Sequence, residues 1–192
     1  MVYLILGLVI FLGVHSVRIV ADGWRTRVRA RIGEGLYKGI YSLVSLAGFG
    51  LIVWGFGIAR ETPWMVWTPP MGMRHAAYLL TLIAFILLVA AYVPGNAFKA
   101  RFHHPMVLGV KFWALAHLLT NGSLAHIVLF GSFLAWAVVD FIASRRRDRA
   151  CATQYAAGTA LGTSITVAVG TLVWAAFAFW LHGWLIGIRP IG

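Results

Sequence analysis

Residues 2–20 read VYLILGLVIFLGVHSVRIV, from Val2 to Val20, with no charged side chain before Arg18. At about 1.5 Å of rise per residue such a run covers about 28 Å as a helix. That nearly matches the roughly 30 Å of a bilayer's hydrocarbon core. No basic segment precedes the run and no small-residue cleavage site follows it, so it reads as a retained membrane span rather than a removed signal peptide.

Five further runs of the same kind follow: Lys38–Ala59, Met73–Val93, Met106–Thr120, Leu124–Ser144 and Gly158–Ile188. Their connections carry turn residues at Thr68-Pro69-Pro70, Pro94-Gly95-Asn96 and Thr120-Asn121-Gly122-Ser123. The fourth run is short and contains Lys111, so five spans with a re-entrant fourth segment is the alternative count. The whole chain agrees with the first run. Of 192 residues 61% are hydrophobic and 11% charged, with a mean hydropathy of +0.85. Soluble domains average roughly 45–50% and 25% respectively, so much of this surface faces lipid, and disorder is excluded. The expected fold is all-α: a polytopic helical bundle of about six transmembrane helices, forming one domain over residues 1–192.

The net charge of +11 invites a nucleic-acid reading. Position argues against it. Arg18, Arg25, Arg27, Arg29, Arg31 and Lys38 follow the first run. Lys99, Arg101 and Lys111 flank the start of the fourth, and Arg145, Arg146, Arg147 and Arg149 follow the fifth. Those are 13 of the 16 cations, and Arg60, Arg74 and Arg189 fall on the opposite side. Cationic loops stay in the cytoplasm, which puts both termini outside and assigns the charge to topology and anionic lipid. The stretch Trp24–Lys38 has an apolar residue every fourth position and reads as a weak interfacial helix, interrupted by Gly33 and Gly35. Trp64, Trp67, Trp180 and Trp184 lie where interface belts belong. Gly158-x-x-x-Gly162 and the Gly131/Ala135 pair are expected to let helices approach closely.

Chemistry falls to histidine. A lone cysteine, Cys151, excludes a disulfide framework, and five acidic residues are too few for an oxygen-ligand metal site. No His-Glu-x-x-His signature of a hydrolytic zinc site is present. Seven histidines remain, and ionisable groups at membrane depth are costly unless paired, ligating or functional. Neutral imidazole is a standard axial ligand of haem iron. His103, His126 and His182 sit near span ends and read as interfacial. His104 precedes Pro105 and also serves as a helix start. His75 follows Arg74, a contact for a propionate or a lipid phosphate. His15 and His117 lie deeper. His104 and His117 are about 20 Å apart along one helix and cannot share an iron. Depth alone favours His117 with His75, or His15 with His104. A His15–His117 pair requires an offset of roughly 10 Å to be absorbed by tilt. Asp140, the only acidic residue within a span, is at the depth of Arg18, so an Asp140–Arg18 pair is expected.

The strings Gly13-Val14-His15-Ser16-Val17-Arg18, Tyr41-Ser42-Leu43-Val44-Ser45, Trp67-Thr68-Pro69-Pro70, Arg74-His75, His104-Pro105-Met106 and Trp113-Ala114-Leu115-Ala116-His117-Leu118, then Asn121-Gly122, resemble the NnrU family over essentially the whole chain. The resemblance implies a bacterial inner-membrane protein associated with denitrification and with nitrite and nitric oxide reductases. It also implies similarity to the plant zeta-carotene isomerase, a haem b protein. By that similarity His15 and His117 are the axial ligands, with His75 and His104 as further family histidines; Arg18 and Arg74, beside two of these histidines, are additional candidate cofactor-binding positions. The isomerase has a cysteine three residues before its second ligand. Ala114 stands there, so a thiolate-switched mechanism has no ligand in this chain. Three readings follow: a haem-binding protein of nitrogen-oxide metabolism, a haem-dependent cis-trans isomerase of a carotenoid-like lipid-soluble substrate, and a cofactor-free scaffold.

Overall fold

The structure is a computed structural model and describes residues 1–190. Helix α1 is Val2–Val20, α2 Asp22–Ile32, α3 Glu34–Ala59, α4 Met73–Ala90, α5 Ala97–Phe102, α6 Pro105–Thr120 and α7 Leu124–Ala150. Helix α8, Ala160–Ala176, runs through a π-helical turn at Phe177–Leu181 into α9, His182–Ile186. Among the described residues five helices are long and apolar enough to cross a membrane. The sixth candidate, α6, is a shorter apolar helix of 16 residues, about 24 Å long. The protein is a multi-pass, all-helical membrane protein. In lipid every backbone amide must be paired inside the segment, which helices alone achieve here.

Some ends move from their sequence positions. The second span begins at Glu34 rather than Lys38, because Gly33 takes a φ of +84°, a backbone turn that only glycine adopts cheaply. That turn breaks the proposed Trp24–Lys38 segment into α2 and the start of α3, and Gly35 is helical. Glu34 then sits at a positive helix end, paired with Lys38 at 2.7 Å and Arg29 at 3.0 Å.

The described residues form two compact units. The first comprises Met1–Pro70 and His117–Ala143, and the second Met71–Ala116 with the remainder from Ser144. In the first unit α1 and α3 pack antiparallel. A Cβ on Gly7 would meet the Ile52 nitrogen at 2.6 Å, and one on Gly48 the Phe11 nitrogen at 2.8 Å. A Cβ on Gly55 would strike the Leu4 backbone. The helices therefore touch backbone to backbone, as small-residue interfaces in membranes do. Tyr3 and Trp54 stack at 4.5 Å at one end of this seam.

In the second unit α4 and α8 are also antiparallel. Gly170 lies against Ile86, and the Trp174 indole donates to Thr81 Oγ1 at 3.1 Å. Asn96 is buried between helices: its Nδ2 donates to the carbonyls of Ala90 and Val93 while its Oδ1 accepts from the Lys99 amide, capping α5. Of the two glycines of Gly158-x-x-x-Gly162, the first sits against the backbone of Ala97, where α5 starts, and the second against Gly95 in the turn before it. Gly131 has nothing within 4 Å of a built Cβ, so the close approach expected there is absent.

Replacing Gly48 by alanine should destabilise the protein by about 1–3 kcal/mol, seen as a lower Tm in micelles. Gly50→Ala meets nothing within 4 Å. It should hold or raise Tm, since alanine is the better helix former by up to about 1 kcal/mol.

Candidate functional site

The histidines divide between the units: His15, His117 and His126 belong to the first, and His75, His103, His104 and His182 to the second. His15 is half-buried on α1, four residues after Phe11. Its Nδ1 is 2.7 Å from the Phe11 carbonyl oxygen. A carbonyl only accepts, so Nδ1 carries the proton and the Nε2 of the neutral ring carries the lone pair. Metal-ligating histidines are commonly oriented in this way, with the second ring nitrogen donating to a backbone carbonyl. Aromatic rings surround the imidazole: Phe11 stacks on it at 4.2 Å, Tyr41 of α3 lies at 5.3 Å and Trp136 of α7 meets it edge-on at 6.1 Å.

His117, in the last turn of α6, stacks on Phe130 at 4.4 Å. Its carbonyl accepts from Asn121 Nδ2 at 2.9 Å, which ties the last turn of α6 to the Asn121-Gly122 corner. Phe130 is 5% exposed and also faces His126 at 6.1 Å. His126 shares a 2.6 Å hydrogen bond with Ser123, the residue just before α7, which makes it part of that helix's start. His15 and His117 thus lie against rings of the same helix. Phe130 and Trp136 are six residues apart on α7, about 9 Å of rise.

The first unit also brings together strings far apart in sequence. The Gly122 carbonyl accepts from the amides of Val66 at 2.9 Å and Trp67 at 3.3 Å, and Leu124 donates to the Trp64 carbonyl at 2.8 Å. A Cβ on Gly122 would strike the Trp67 carbonyl. The connection bearing Trp64 and Trp67 is therefore pinned to the turn that follows His117. Arg18 is in the last turn of α1 and exposed. Asp140, the partner expected for it, lies in the same unit within electrostatic reach of Tyr41.

His75 and Arg74 are exposed in the first turn of α4, with His75 edge-on to Tyr78 at 6.2 Å. His104 joins a different cluster. Its Nε2 lies 2.8 Å from Asp148 Oδ2, which also accepts from the Tyr155 hydroxyl at 3.1 Å and faces His103 Nδ1 at 3.4 Å. Arg145 bonds His103, and Tyr155 stacks on it at 4.0 Å. His103 holds φ at +65°, an uncommon conformation for a side-chain-bearing residue, which turns both imidazoles to one carboxylate. Burial and the Asp148 carboxylate push the Tyr155 hydroxyl above the ordinary phenol range. His182 Nδ1 donates to the Ile188 carbonyl at 2.6 Å. Among the described residues no three His, Cys, Asp or Glu side chains converge as a metal-ligand set.

Sequence reasoning did not single out Phe130, Trp136, Asp148 or Tyr155. The signal for the first two was present: His126, Phe130, Phe133 and Trp136 recur every three or four residues along α7. Asp148 was hidden within an arginine run.

Two measurements check these arrangements. Gly122→Ala should release the loop around Trp64–Trp67, giving faster proteolysis there and red-shifted tryptophan emission. Gly131→Ala, which meets nothing, should change neither. Asp148→Asn removes the charge that opposes phenolate formation, so Tyr155 should ionise at lower pH. Ultraviolet difference titration against Tyr155→Phe would read that shift, which is partial because burial is the larger cause.

No curated protein and no solved structure matched the chain. The family comparison matched the NnrU protein family over residues 3–190, nearly the whole length, and this membership suggests a role in nitrogen-oxide metabolism. By that match, the chain belongs to the NnrU family.

Proposed function

We propose that the protein is a haem b-binding protein of the bacterial inner membrane, with His15 and His117 as axial ligands, acting in nitrogen-oxide metabolism by electron transfer, sensing or reductase maturation. The single observation that carries the reading is the His15 ring. Its Nδ1–H is spent on the Phe11 carbonyl, and its Nε2 is left to accept or ligate amid aromatic rings in a membrane helix.

The chemistry of the donors fits the group. Two imidazoles of one unit satisfy an iron that needs no third protein ligand. Phe11, Tyr41, Phe130 and Trp136 offer the apolar, aromatic walls that a macrocycle packs against. Trp136 Nε1 is buried with no partner among the described residues, a donor that a bound group can satisfy. When bound between two imidazoles, haem would supply one-electron chemistry.

The residues do the rest. Phe11 holds the His15 tautomer, and its stacking limits ring rotation. Phe130 fixes the His117 ring on the far part of α7, and the buried face around it excludes water, which raises the cost of any charge left unpaired there. His75 and Arg74 are exposed on α4 and His104 Nε2 faces Asp148, arrangements that favour His15 and His117 as the ligand pair.

The test is the visible spectrum of the purified chain after loading with haemin, oxidised and reduced. Low-spin Soret and Q bands in both states are expected. Both should disappear in the His15→Ala, His117→Ala double variant and persist in His75→Ala. A wild-type chain that takes up no haemin, or a double variant with the wild-type spectrum, overturns the assignment.

A further inference from the structure

Two polar side-chain atoms in the first unit are buried without a hydrogen bond of acceptable geometry: Trp136 Nε1 and Ser45 Oγ. Buried polar groups in native proteins are paired in about nine cases of ten or more. Within a membrane no bulk water replaces the missing partner. Trp136 touches His15 directly, and Ser45 reaches it through Tyr41. Trp136 meets the imidazole edge-on at 6.1 Å. Ser45 is one turn beyond Tyr41 on α3, with the Tyr41 hydroxyl as its polar neighbour, and Tyr41 lies 5.3 Å from His15. One of these donors therefore borders an imidazole whose Nε2 has no hydrogen bond among the described residues, and the other lies one residue contact away, through Tyr41.

The missing partner is an acceptor. The indole N–H only donates, so whatever completes it brings an oxygen or another lone pair. A charged acceptor forms hydrogen bonds roughly twice as strong as a neutral one, enough to justify leaving the indole donor dry. Arg18, three residues after His15 and so on the same side of α1, adds positive charge toward that end. From this juxtaposition we infer that Trp136 Nε1 and Ser45 Oγ are positioning donors for a carboxylate carried by the group that seats at His15.

This assignment rests on the haem reading, and it goes beyond ligation to the polar edge of the bound group. It gives that role to an indole and a hydroxyl within the bundle rather than to the exposed Arg74.

The experiment compares uptake of haemin and of haemin dimethyl ester, whose carboxylates are blocked, by the purified full-length chain. Retention is read from the Soret band during competition with apomyoglobin. The wild type should hold haemin about tenfold more firmly than the ester, the scale of a charge-assisted hydrogen bond. Trp136→Phe keeps an aromatic wall and removes the donor. It should lose most of that preference, read as the ratio of haemin to ester retention within the same variant, and Ser45→Ala should lose part of it. The Soret position and the midpoint potential should shift with them, readouts that a purely packing role leaves in place. If both variants keep the full preference, or the wild type shows none while binding both compounds, the inference fails and the haem reading stands. If the wild type binds neither compound, both fail together. Ser45→Ala, the smaller change, provides the test if Trp136→Phe does not fold.

Discussion

The backbone contact between α1 and α3 is the constraint on which the first unit depends. Gly7, Gly48 and Gly55 have no room for a Cβ, so the two helices meet along their main chains rather than through side chains. In lipid there is no hydrophobic gain from burying leucine against leucine, and close van der Waals packing has to supply the association. Once this seam is set, the register of α1 against α3 follows. Tyr3 meets Trp54 at one end and His15 meets Tyr41 at the other. Glycine at Gly33, with its positive φ, lets the chain turn back in the short α2 connection so that the seam can form.

Helix α7 supplies the second half of the site. Its aromatic face receives His117 at Phe130 and His15 at Trp136, with Phe133 between them touching Phe11 at 5.8 Å. Two histidines separated by about a hundred residues thus lean on one helix about two turns apart. The same unit fastens the Trp64–Trp67 connection to the corner after His117 through backbone hydrogen bonds at Gly122. The strings that carried the family resemblance are in these places for physical reasons. His15 needs Phe11, Gly122 needs to lack a Cβ, and Asn121 holds the carbonyl of His117.

The second unit illustrates the opposite outcome. His104 stood beside His75 as a further ligand on sequence grounds, yet its Nε2 is directed at Asp148, alongside Tyr155 and His103. The strained backbone at His103 turns both imidazoles toward that carboxylate. Nothing in the local order of residues 103–105 announces a partner more than forty positions away. Likewise, the small residues at Gly158 and Gly162 signalled close packing, and only the fold shows that the neighbour is the Gly95–Ala97 turn at the start of α5.

Sequence by itself determined that this is a helical membrane protein, where most helices lie, which turns separate them, and that its spans are poor in carboxylates and contain several histidines. Those properties are local: hydropathy summed over a turn or two, the φ that glycine permits, and the scarcity of other ionisable groups. Only the tertiary structure decided which histidines share a unit, which ring nitrogen of His15 holds the proton, and that Phe130 and Trp136 form a common wall. It also decided that His104 faces Asp148. Each of these depends on helix register and rotation, which are set by contacts between residues tens of positions apart. A periodic apolar pattern says that a helix has neighbours, but in lipid nearly every face is apolar, so it does not say which neighbour each face meets.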